Sequence, residues 1–111
     1  MNILARREPA VARQQRFNMS GYYHVVNRGV GRMAIFLDDM DHGKFMQILQ
    51  DSRDMHQFFV HAHVLMPNHY HLLLQTGYEN LSEAMKQINA RYSIFFNKKY
   101  NRVGPLDRKS V

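Results

Sequence analysis

The chain has 111 residues, a net charge of +6, 45% hydrophobic and 22% charged residues, and no cysteine. That length suits one domain with a real core, and the composition argues against wholesale disorder. Disulfides and thiolate zinc sites are excluded, no apolar run approaches the roughly 20 residues of a membrane span, and the start lacks the apolar stretch of a signal peptide, so a cytoplasmic protein is the expectation.

The positive charge lies at the ends. Residues 1–20 carry +3, residues 91–111 carry +5, and the body between them carries −2. Basic ends of this kind neutralise phosphates, although a solvated charged face explains them equally well. Residues 1–17 show no clean period and read as an arm that could hold a short helical turn. "YYHVVNRG", residues 22–29, is aromatic and β-branched and stops at a glycine, as a strand does. "VGRMAIF" is Gly-interrupted and reads as a loop.

Residues 38–56 open with aspartates suited to capping. Phe45, Ile48, Leu49, Ser52 and Met55 then fall near one helical face. "FFVHAHVLM" and "HYHLLLQT" flank Pro67-Asn68 and read as an antiparallel hairpin. Residues 80–100 start with Asn80 and Glu83, a variant capping box, and continue with Leu81, Met85, Ile88, Tyr92 and Phe95 at helical spacing. The order arm, β, α, β, β, α, tail is most of a ferredoxin-like split β-α-β sandwich, an α+β fold, with its last strand weak or absent. The expected organisation is an arm over 1–20, a domain over 21–104 and a short tail over 105–111.

Four of the seven histidines fall between residues 61 and 71. Residues i and i+2 of a strand share a face, so His69 and His71 stand side by side and could grip one divalent ion. Imidazole suits Zn, Ni, Co or Mn better than Mg. Two ligands make a weak site, since a catalytic metal usually has about three from the protein. The place of His61 and His63 depends on the turn. A three-residue loop puts all four rings on one face, whereas a two-residue loop sends His61 and His63 to the other. As ordinary strand residues, these two are partly exposed polars, which is the reading we favour.

"YYHVVNRG", "IFLDD", "HAHVLMPNHYHLLL" and "NLSEAMKQINARYSIFFNKKYNRVG" together resemble the REP-associated tyrosine transposases. These are relatives of the insertion-sequence single-strand transposases of the HUH class. The resemblance runs from about Gly21 to Gly104, and His69-Tyr70-His71 carries the motif that names the class. It implies a ferredoxin-like fold and a divalent metal, Mg or Mn in the family, held by His69 and His71. It also implies a tyrosine that attacks the phosphorus of single-stranded or hairpin DNA. A phenol with a pKa near 10 needs such help to act as a nucleophile.

The sequence departs from the family after "NRVGPL". The family continues with a strand and a helix carrying a Tyr-Ile-His-x-Asn-Pro block, which brings the nucleophile and a third metal ligand. "DRKSV" stands here instead. The expectation is therefore a truncated copy without its final strand, C-terminal helix or nucleophile, catalytically inactive alone. Its sheet would have an unpaired edge, which a second copy, the arm or the tail could cover, so a homodimer is expected. Tyr92 lies on the apolar stripe and reads as core, and no tyrosine is named as nucleophile. The DNA-contact candidates are Asn27, Arg28, Arg91, Lys98, Lys99 and Arg102. A strand-end hydrogen-bond network would equally explain the first two, and a solvated helix end the others. The competing functions are a ferredoxin-like nucleic-acid-binding module without metal chemistry and a small metal-binding or self-associating protein with no DNA role.

Overall fold

A computed structural model describes residues 21–76, 81–104 and 106, together with the backbone of 3–7. Its elements are β1 (Ile3–Arg7), β2 (Gly21–Arg28), α1 (Asp39–His56), β3 (Phe59–Met66), β4 (His69–Thr76) and α2 (Leu81–Lys99). All neighbouring strands are antiparallel, in the order β1-β2-β4-β3. The fold is α+β. β2, α1, β3, β4 and α2 form a split β-α-β unit with both helices on one face of the sheet.

Alternation divides each strand between two faces. Val25 lies opposite Leu72, and Tyr23 opposite Leu74. These residues, with Tyr70, meet Phe45, Ile48 and Leu49 of α1 and Ala84, Met85, Ile88, Tyr92 and Phe96 of α2 in one buried cluster. Three aromatic rings seal its centre: Phe45 lies 4.7 Å from Tyr70 and 5.5 Å from Tyr92 between ring centroids. The apolar periods of both helices thus face the core, with two shifts from the expected stripes. Met55 is exposed, and Phe96 rather than the half-buried Phe95 is the fully buried ring.

The Asp38 side chain caps α1 by accepting from the Asp41 amide at 3.0 Å. Asp41 itself has no exposed surface. Its carboxylate accepts from the Leu37 amide at 2.8 Å, Lys99 Nζ at 2.8 Å and the Tyr100 hydroxyl at 2.6 Å. One buried carboxylate thus ties the start of α1 to the end of α2. Burial alone would raise its pKa, but these bonds outweigh burial and hold it below the ordinary 3.8.

One expectation needs correction. The arm is not only an arm: Ile3–Arg7 is a strand that pairs with β2 from Ile3↔Asn27 to Arg7↔Tyr23. Local sequence does not announce it, because the pairing partner is what makes the strand. This strand covers the edge of β2 for which the arm was one of three candidates, so the outer strands of the sheet are β1 and β3. Among the described residues no strand follows α2. The rest of the 1–20 arm, and the 105–111 tail apart from Leu106, lie outside the described residues. No helix among the described residues is long and apolar enough to cross a membrane.

Candidate metal and nucleic-acid site

The face of the sheet away from the helices carries the histidines. Met66 pairs with His69, so the hairpin has the two-residue Pro67-Asn68 turn. That register puts His63 opposite the core residue Leu72, on the helix side, and Val64 opposite His71. A bulge between Val60 and Ala62 then restores His61 to the open face. There His61 Nε2–H donates to Gln75 Oε1 at 2.7 Å, and its ring stacks on Tyr22 at 5.3 Å. The four rings divide three to one, an outcome neither simple loop length gives. His61 and His63 are both exposed, as ordinary strand polars would be.

His69 and His71 are side by side, with ring centroids 5.0 Å apart and planes nearly perpendicular. Each has its Nδ1 engaged by a neighbour. His69 Nδ1 lies 2.7 Å from Asn68 Oδ1. A carbonyl oxygen can only accept, so this nitrogen carries the proton and the lone pair of His69 is on Nε2. His71 Nδ1 lies 3.0 Å from His24 Nε2, and the two rings stack at 5.2 Å. Burial, and then the neighbouring His24, His69 and Arg28, push His71 below its ordinary pKa of 6.5. His71 is therefore neutral near pH 7, the form in which imidazole ligates metals. Among the described residues, no cluster of three or more histidines and carboxylates is arranged to hold a metal ion. His69 and His71 are adjacent donors on this face, and His24 stands behind one of them.

At the turn end of this face, Arg28 pairs opposite His69. A cleft of about 330 Å³ there is lined by Arg28, Arg32, Asn68 and His69. The backbone around it is tied down. Gly29 N donates to Asn68 O at 2.9 Å, and Ile35 N and Phe36 N both donate to Pro67 O, at 2.7 and 3.1 Å. Gly29 is required for this approach, since a Cβ there would lie 2.3 Å from the Met33 carbonyl oxygen. Val30–Arg32 forms a short 3-10 turn whose Val30 amide donates to Leu106 O at 3.0 Å. Within it Gly31 and Arg32 both have left-handed backbones, with φ of 60° and 62°. For arginine that conformation costs about 1–2 kcal/mol.

The other candidates are placed elsewhere. Asn27 is 2% exposed and faces the helices, where its Nδ2 donates to Tyr70 Oη at 3.3 Å. Tyr70 in turn donates to Asn89 Oδ1 at 2.7 Å. Asn27 therefore serves the core and offers DNA no surface. Lys99 is bound to Asp38 and Asp41, which raises its pKa and neutralises its charge. Arg91 pairs with Asp51 of α1 at 3.2 Å, and Arg102 donates to Asn97 Oδ1 at 2.9 Å. Lys98 is exposed near the end of α2. These four belong to the helical layer and its end, behind the sheet, so only Arg28 of the six joins the histidines. Tyr92 is core as expected: 3% exposed, its hydroxyl donates to the Ile35 carbonyl, and burial raises its pKa far above the ordinary phenol value. His24, Arg32 and Asn68 were not singled out from sequence. The first is visible only through the β2–β4 register, and the other two sit in turns whose path the sequence leaves open.

No curated protein matches the chain. A family model described as "Transposase IS200 like" matches residues 18–109, a stretch that includes β2, the histidine hairpin and both helices. This match covers most of the sequence, and the chain belongs to the IS200-like transposase family.

Proposed function

We propose that this transposase-family chain binds single-stranded or hairpin DNA across the open face of its sheet, holds a divalent ion on His69 and His71, and does not cleave DNA on its own. The observation that carries the reading is the histidine pair, with both Nδ1 atoms engaged and the rings on the face that no described helix covers. His69 offers Nε2 by necessity. His71 does so when its Nδ1–H donates to His24 Nε2. A divalent ion bound there would polarise a phosphodiester and offset charge developing on its oxygens. Mn, Ni, Co or Zn suit two imidazoles better than Mg does. Two protein ligands imply weak binding, with water or phosphate oxygens completing the shell.

The tyrosines support the inactive half of the reading. Tyr70 and Tyr92 are buried, Tyr23 packs toward the core, and Tyr100 is bound to Asp41. Among the described residues Tyr22 alone shares the histidine face, and it is stacked on His61. A homodimer would use β3, the sheet edge with Phe59, Val64 and Met66 exposed. Light scattering that finds a single-chain mass at micromolar concentration removes that part.

Calorimetric titration with Mn or Ni tests the metal site: binding by the native chain is expected, and none by a His69→Ala, His71→Ala variant. Equal heats from both proteins would exclude the site. DNA binding of equal strength with and without chelator, in the absence of any metal heat, would favour a binding module without metal chemistry. A covalent protein–DNA band on a denaturing gel, lost on Tyr22→Phe, would overturn the inactive reading.

A further inference from the structure

The described residues of the cleft at the turn end of the open face all favour an anion. Among the described residues two arginines, an asparagine and a histidine line it, with no carboxylate among them. Among the described residues, no hydrogen bond or ion pair engages the side chain of Arg28 or of Arg32. That sets them apart from Arg91 and Lys99, which have carboxylate partners on the helical layer. Asn68 adds directionality. Its Oδ1 is occupied by His69, which leaves the amide Nδ2 as a donor. The floor is rigid, since Asn68 O and Pro67 O are pinned by three backbone amides.

The chain also accepts strain here. Arg32 holds a left-handed backbone directly after Gly31, where glycine would sit without penalty. No described contact of the Arg32 side chain offsets that penalty inside the fold. Among the described residues nothing offsets this conformation, and a strained backbone beside a second unpaired arginine points to a ligand.

We propose that Arg28, Arg32 and Asn68 form a seat for one phosphodiester of the bound strand, next to the metal-ligating His69, with Arg32 the residue that fixes it there. The seat rests on the DNA reading above and adds to it which phosphate is gripped: the one beside His69, at the Pro67-Asn68 end of the sheet. Guanidinium suits the task because its fork can bond two phosphate oxygens at once. The seat itself needs no metal, so it can be tested separately from the histidine pair.

The test is binding of a fluorescent oligothymidylate in chelator, measured across a range of salt for the native chain, Arg32→Gly, Arg28→Gln and the control Lys86→Gln. Removing one phosphate neutralisation on a single strand lowers the salt slope by about 0.7, which corresponds to roughly an eightfold weaker affinity near 50 mM salt. Arg32→Gly and Arg28→Gln should each show that weakening, and Lys86→Gln less than about half of it. Arg32→Gly should also melt at or above the native temperature, because it relieves the left-handed arginine. A merely structural Arg32 would lower it. A second arm titrates inorganic phosphate and follows amide NMR signals, which should move at Arg28, Arg32, Asn68 and His69.

Native-strength binding by Arg32→Gly, or an equal weakening in Lys86→Gln, overturns the seat and leaves the DNA reading standing. If oligothymidylate does not bind but phosphate moves those four signals, the anion seat stands and its DNA occupant is wrong. If neither ligand acts on the native chain, both fall.

Discussion

Tyr70 and the two histidines beside it are consecutive on one strand and have opposite fates. Tyr70 is 2% exposed, and its hydroxyl joins Asn27 to Asn89 inside the core. His69 and His71 point the other way, onto a face that no described helix covers. The covered face hides its polar groups among its own partners. The open face keeps an imidazole pair, an arginine cleft and exposed apolar side chains such as Val64 and Met66. A period of two therefore separates stability from chemistry within a single strand. Changes on the covered face should reduce stability and leave ligand binding alone, and changes on the open face should do the reverse.

The largest effect belongs to the ligands. Replacing His69 and His71 together by alanine should abolish transition-metal binding while the melting curve moves little, because both rings lie outside the core, on the face that no described helix covers. A collapse of the fold in that variant would break the separation. The largest effect on stability belongs to Asp41. Asp41→Ala removes a carboxylate buried among Lys99, Tyr100 and the Leu37 amide and should cost about 3 kcal/mol in chemical denaturation. Its pKa is lowered in the fold, so the stability it contributes is present above pH 3.8 and lost as pH falls through and below that value. The acid limb of the native chain should be steeper than that of Asp41→Ala. Identical limbs would mean that the carboxylate is not stabilised in the fold.

Tyr70→Phe is the sharper version of the same comparison, since it touches the residue between the two ligands. Removing the hydroxyl that joins Asn27 to Asn89 should cost about 1–2 kcal/mol. Metal affinity should stay within a factor of two, as the strand keeps its register and the histidines keep their partners. A large loss of metal binding would show that the two faces are coupled through the strand.

Most of the fold was legible because it is written in local periods. The strand at "YYHVVNRG", the two helices and the histidine hairpin all emerge near their expected bounds. The partners of those elements were not legible. β1 is a strand only because β2 offers it an edge, and "ILARR" carries little strand signal of its own. In the site, the pairing of His69 with His71 followed from alternation alone. His24 is 47 residues away from His71 and meets it through the β2–β4 register. The bulge that brings His61 back to the open face leaves no mark in the sequence. Charge was the least reliable guide: Lys99 and Arg91 read as free cations, yet each finds a carboxylate on α1, its partner in the helical layer.

The smallest effect concerns His24, and it tests whether the open face is organised or merely uncovered. The contact between His24 Nε2 and His71 Nδ1 holds one proton. If His71 donates it, the lone pair of His71 is on Nε2 and available to a metal. If His24 donates it, His71 carries its proton on Nε2 and cannot ligate there. The metal reading requires the first arrangement, with His24 acting as a positioning residue behind the ligand. Losing such a partner commonly reduces metal affinity by about 10- to 100-fold. We expect the lower end, about tenfold, because rotation about the imidazole side chain still lets His71 find a usable nitrogen. His24→Gln should recover most of the loss, since its side-chain carbonyl can accept the same proton. Nitrogen-15 shifts of His71 give a readout independent of the metal: a single Nδ1–H tautomer in the native chain and in His24→Gln, and a mixture in His24→Ala. Native affinity in His24→Ala with an unchanged His71 tautomer would show that the stacked ring only fills space.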